Sequence, residues 1–177
     1  MRKIIRSLLM LIPVWAGALW LIDLAASAAG QPPRVEFDAE KIQPRSIEDL
    51  TAKSVPRDYA LAWQAMEQAL EQNRSDLLDA YWIGFAKQDL ASRIKTQIQS
   101  NVHVRYQDGG HKLQAIFYAP AGDAIELRDQ VQGELEIFDG DKVVYQEPLS
   151  LNYVALMTPG ADRWLVRDLQ AVPQQRP

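Results

Sequence analysis

IELRDQVQGELEIFDGDKVVYQEPLSLNYVALM, residues 125–157, reads as two long strands folded back on one another. Ile125, Leu127, Val131, Leu135 and Ile137 stand two or four residues apart, so a regular strand carries them all on one face. Asp139-Gly140-Asp141 supplies the turn, and Lys142 to Met157 returns as the second strand. A tight two-residue loop sets Lys142 against Ile137 and Gln146 against Gly133. A three-residue loop sets Ile137 against Val143, Leu135 against Tyr145 and Val131 against Leu149. A slip of one residue moves every side chain to the other face, so the apolar pairing selects the longer loop. Gly133, in mid-strand, marks a bend.

Upstream, Val102, Val104 and Tyr106 alternate with His103 and Arg105, and Leu113, Ala115 and Phe117 resume that parity beyond Asp108-Gly109-Gly110. This pattern predicts a short hairpin turning at the glycines, with Tyr106 opposite Leu113 and Val104 opposite Ala115. Pro120 to Asp123 breaks the chain, Thr158 to Asp162 turns it again, and Trp164 to Val172 is the last strand. Before the strands the period is helical. Pro56 suits a helix's first turn, and Tyr59, Trp63, Met66 and Leu70 follow as one apolar stripe. Ser75 can cap a short second helix to Trp82, and a third over Phe85–Gln99 places Phe85, Leu90, Ile94 and Ile98 on one side.

Residues 31–55 hold Pro32, Pro33 and Pro44 without a sustained period and read as a tether. Residues 1–30 differ in kind. Arg2, Lys3 and Arg6 precede an uncharged apolar run from Ser7 to Ile22, followed by Asp23 and small residues to Gly30. Positive charge stays on the cytoplasmic side, so the remainder is expected outside the cytoplasmic membrane. Two forms are open: a signal peptide cleaved at Ala26-Ser27-Ala28, or a single-pass signal-anchor crossing the bilayer through residues 7–29. Trp15 and Trp20 favour the anchor. The division is therefore 1–30 leader, 31–55 tether, 56–173 α+β domain and 174–177 tail.

The 177 residues include 19 Lys+Arg and 23 Asp+Glu. Without Arg2, Lys3, Arg6 and Asp23 the remainder keeps 16 basic and 22 acidic side chains, a net −6. That sign argues against a nucleic-acid partner. The absence of cysteine excludes thiol catalysis, disulfides and thiolate metal sites. Glycine motifs for phosphates or dinucleotides are absent, as is a G-x-S-x-G nucleophile, so no cofactor is expected.

Three helices, a short hairpin and long bent antiparallel strands, closed by Arg163-Trp-Leu-Val-Arg-Asp-Leu169, resemble the nuclear transport factor 2-like superfamily over residues 56–172. With an anchor in front, the layout is similar to the VirB8-like assembly proteins of secretion systems. The resemblance implies a bent antiparallel sheet forming a cone, with the helices packed on it. It also implies two functional options, because the superfamily hosts both scaffolds and enzymes.

Asp129 shares the parity of Leu127 and Val131, and isomerases and dehydratases of the superfamily use an acid in the cone. A bulge near Arg128-Asp129-Gln130 that turns Asp129 to solvent is the simpler expectation. His111 is expected as a solvated partner of Asp108 at the hairpin tip, and His103 as surface; histidines of opposite parity make a zinc site unpromising. Asp168 shares the parity of Trp164 and Val166 and could face the cone mouth or cap its polar end. The sheet face opposite the helices carries Ile116, Tyr118, Phe138, Val144, Val154 and Leu156, too many apolar residues for a wet surface. Ile116, Tyr118, Phe138, Val154 and Leu156 are thus the expected interface, and relatives often dimerise there. The expected function is a membrane-tethered, periplasmic-side interaction or assembly subunit working with membrane-complex partners or as a homodimer. The alternative is a binder or enzyme using the cone.

Overall fold

The computed structural model describes residues 31–173, so both the leader and the tail 174–177 lie outside the described residues. Two helices, α1 (Asp49–Glu71) and α2 (Gly84–Gln99), joined by a 3-10 turn at Ser75–Ala80, pack on one five-stranded sheet. Its strands are β1 (Val35–Asp38), β2 (Val102–Tyr118), β3 (Ile125–Asp139), β4 (Lys142–Pro159) and β5 (Trp164–Val172), adjacent in chain order. β1 runs parallel to β2; all other pairs are antiparallel. The α+β cone expected from the sequence is present, with β5 at the predicted bounds.

The α1 stripe of Tyr59, Trp63, Met66 and Leu70 is buried, and it meets Leu113, Ala115, Ile125, Leu127, Val131, Ala155, Met157 and Val166 from the sheet. Burying each large side chain stabilises the fold by about 1.5–3 kcal/mol. Two further contacts fix α1. The buried Asp58 carboxylate accepts from the Trp164 backbone N–H at 2.8 Å, and Trp82 Nε1 donates to the Ala62 carbonyl at 2.8 Å.

Several expectations are corrected. The segment 31–55 is no simple tether: Val35 and Phe37 face the core from β1, and α1 starts seven residues before Pro56. Proline removes one intrahelical hydrogen bond there, a cost the buried stripe beyond it outweighs. In α2 the buried side is Ala86, Leu90, Ile94 and Gln97, while Phe85 and Ile98 are exposed. The helix turns this way because the Gln97 carboxamide donates to the Leu70 carbonyl (2.9 Å) and Asn73 Oδ1 (2.7 Å), satisfying the open end of α1.

Asp108-Gly109-Gly110 is not a turn. β2 runs straight through it, paired with β3, and Gly109 is the extra residue of a bulge between Asp108 and Gly110. Opposite lies Gly133, where a Cβ would fall 2.4 Å from the Gln107 carbonyl oxygen. The chain bends there as the mid-strand glycine indicated. The β3–β4 register also differs: Ile137 pairs with Tyr145 and Val131 with Leu151, two residues further along than expected. A shift of two keeps parity, so the same faces still meet.

Bulges rewrite the outer face too. A register shift between Ala115 and Phe117 turns Tyr118 into the core, leaving Phe117 outside. Phe138 is covered by its own chain: His103 stacks on it at 4.7 Å and the Arg105 guanidinium lies 4.6 Å from its ring centre. Of the expected interface residues, Ile116, Val154 and Leu156 stay half-exposed, with Gln114, Arg128 and Gln170 in line with Val154. The apolar patch is smaller than the sequence suggested.

Candidate functional site

Inside the cone the Gly109 bulge has a chemical consequence. Residues three apart in a regular strand face opposite ways. The extra residue instead brings Asp108 and His111 to the same side, with His111 Nε2 2.6 Å from Asp108 Oδ2. The other ring nitrogen, Nδ1, lies 2.7 Å from Asp129 Oδ2, which also accepts from the Tyr59 hydroxyl at 2.8 Å. Asp129 is fully buried and His111 nearly so, and Trp63 covers the imidazole at 4.6 Å between ring centres.

Burial alone would push the His111 pKa down, but the two carboxylates outweigh it and hold the pKa at about 9. The ring is therefore an imidazolium at neutral pH, donating through both nitrogens. Glu67, one helical turn after Trp63, has its pKa raised to about 8, chiefly by burial and then by the Asp108 charge. Trp63 Nε1, Glu67 Oε1 and Asp129 Oδ1 are buried without a protein partner, so polar atoms concentrate in this one place.

Asp129 thus keeps the inward parity of its strand; the expected turn to solvent does not occur because β3 is regular from Ile125 to Val131. His111 is likewise a core residue and not a solvated hairpin-tip residue. Asp168 is not part of this group. A bulge in β5 pairs Leu156 with Asp168 and Met157 with Val166, which sends Asp168 outward to accept from Gln170 Nε2 at 2.7 Å and gives Leu169 the inward place. No grouping of His, Asp and Glu among the described residues suits a metal ion.

The open part of the cone lies between α2 and the sheet. A cavity of about 340 Å³ is walled by Met66, Leu70, Leu90, Val104, Leu135 and Leu169. Tyr106, Tyr153, Asp89 and Arg93 also line it. Tyr153 joins this space to the buried cluster, because its other side packs on Trp63 at 5.7 Å. The inward parity of Tyr106 with Val104, and of Tyr153 with Ala155, was readable in the sequence. Their meeting with Arg93 of α2 was not, because the helix face was read about one residue out of phase.

No protein-family profile and no curated protein matches the chain. Among solved structures it is similar in fold to the intermembrane space region of the chloroplast protein ARC6. The TM-score is 0.61 at 10% identity, covering 73% of this chain and 98% of that one. That likeness shows a shared fold and no more. Looser similarity links it to a putative dehydratase from the NTF2-like family of Streptomyces avermitilis, with a TM-score of 0.47 at 12% identity over 70% of this chain and 99% of that one. An NTF-2 like protein of Shewanella oneidensis aligns at a TM-score of 0.37 and 13% identity over 65% and 96%. Neither of these two carries an argument about function.

Proposed function

We propose that this chain is an NTF2-like, membrane-tethered subunit, placed on the outer side of the cytoplasmic membrane, that works by protein–protein interaction. One observation carries the reading. The tip of the β3–β4 hairpin exposes Val143 (39%), Val144 (52%) and Tyr145 (48%), on both faces of one strand. β5 pairs only with Asn152–Pro159, so among the described residues Lys142–Gln146 have no strand on their far side. An exposed strand edge with apolar side chains is a template for strand addition by a partner. The sealed state of His111 and Asp129 supports the same reading, because an acid or base that no substrate reaches does no catalysis.

The test is a paired substitution, Val144→Lys with Tyr145→Lys, in the full-length chain purified in mild detergent. Wild type is expected to run as an assembly by light scattering. The variant should run alone with its circular dichroism unchanged. Equal masses for both would refute the arm as the interface. A second reading, a small-molecule binder, is favoured by the open cavity between α2 and the sheet.

A further inference from the structure

We infer that the cavity between α2 and the sheet binds a small carboxylate carrying an apolar or aromatic body, its anionic head held by Arg93, Tyr106 and Tyr153. This rests on the second reading above and is independent of the assembly reading, because the hairpin tip takes no part in the cavity.

The walls supply the apolar half of the recognition: Met66, Leu70, Leu90, Val104, Leu135 and Leu169 enclose about 340 Å³, a volume in the range of small-ligand sites. The polar half consists of donors. Tyr106 and Tyr153 line the same space, and neither hydroxyl has a hydrogen-bond partner among the described residues, unlike the hydroxyls of Tyr59, Tyr118 and Tyr145. Burial raises the pKa of both phenols, Tyr153 to about 12, so each keeps its proton at neutral pH. The Arg93 guanidinium, on the same cavity lining, opposes that rise in both. Arg93 itself makes no ion pair or hydrogen bond among the described residues.

Two neutral donors and one unpaired cation around an apolar space fit an anion with two acceptor oxygens. A neutral ligand would gain nothing from the charge of the guanidinium. Asp89, one turn before Arg93 and on the same lining, opposes an anion and limits the affinity. Glu147 and Glu67 also act on Tyr106. Glu147, and Glu67 once it ionises above about pH 8, favour the protonated, donating phenol.

The test uses 3-phenylpropanoate and its uncharged twin 3-phenylpropanamide, titrated into the full-length chain in lipid nanodiscs labelled with methyl-13C methionine. Only four methionines are present. Met66 lines the cavity, and the buried Met157 is the internal control. The acid should shift the Met66 methyl saturably and leave Met157 in place, with the amide at least about tenfold weaker, the scale of a lost charge-assisted hydrogen bond. Arg93 is exposed, so Arg93→Gln should fold normally and abolish the preference for the acid. Tyr106→Phe and Tyr153→Phe should each weaken the acid about threefold or more, and Asp89→Asn should tighten it. Equal binding of acid and amide, an intact preference in Arg93→Gln, or an unmoved Met66 methyl at millimolar acid would each overturn the inference. The hairpin pair Val144→Lys with Tyr145→Lys should bind the acid as wild type does, which separates this result from the fate of the assembly reading.

Discussion

Replacing Asp129 by Asn tests whether the cone is held shut by charge. The carboxylate is wholly buried and serves two donors, Tyr59 at 2.8 Å and His111 at 2.7 Å. The substitution keeps shape and one acceptor oxygen but strands half of a buried imidazolium pair. Breaking such a pair costs about 3–5 kcal/mol in general. The lift of the His111 pKa from 6.5 to about 9 corresponds to about 3 kcal/mol in favour of the charged ring, supplied by Asp108 and Asp129 together and net of the cost of burial. Asp108 still holds the other nitrogen, so the expected loss is about 3 kcal/mol and not the upper end of the range. The sign with pH follows from the direction of the shift. A raised folded pKa means the stabilisation is complete below about 6.5 and is lost as pH rises through about 9. The penalty of Asp129→Asn should therefore be greatest near pH 6 and fade toward pH 10. Urea unfolding at a series of pH values, followed by tryptophan fluorescence, measures this directly. A loss below about 1 kcal/mol at pH 6, or one that does not change with pH, would refute the ion-pair account.

Three further outcomes are expected. Glu67 is held neutral by burial, so the folded state is penalised progressively from pH 4.5 to about 8; Glu67→Gln should raise the free energy of urea unfolding at pH 8 by at least about 2 kcal/mol and leave it unchanged near pH 4. Gly133→Ala should destabilise by at least about 2 kcal/mol, read as a fall in melting temperature, because the new methyl would collide with the Gln107 backbone oxygen. Asp168→Asn should stay within about 0.5 kcal/mol of wild type in the same melting assay, as befits an outward carboxylate whose partner is the neighbouring Gln170.

Where the strands are regular, the sequence was a sufficient guide. The α1 stripe, the inward set from Ile125 to Val131 and the bounds of β5 follow from period alone, because the apolar and polar residues there obey one repeat. The departures sit at single extra residues. Tyr118 enters the core and Asp168 leaves it because Ile116 and Arg167 are bulged out of their ladders, and a bulge leaves no mark in the alternation until its pairing partner is known. Gly109-Gly110 carries the composition of a turn, yet β3 lies alongside to pair the strand straight through. β1 escaped notice because four residues between prolines are too short to show a period. The hidden part of the site has the same origin: parity allowed Asp129 to face inward but a bulge turning it to solvent was expected there, whereas the bulge lies at Gly109 and brings His111 to meet it.

The Gly109 bulge also bears on how this protein could change over generations. Upstream of it, β2 turns Val104 and Tyr106 toward the cavity and His103 and Arg105 away. Loss of that one codon would leave Asp108 and His111 two apart in a regular strand, so each residue of β2 would keep its partner and its face while the local bend relaxed. A deletion in the regular stretch before it would instead exchange the two sets, putting an imidazole and a guanidinium where the cavity has a valine and a phenol. The glycine is thus a place in β2 where length can vary without rewriting the pocket wall. Among homologous chains, insertions and deletions within this strand are therefore expected to gather at this position.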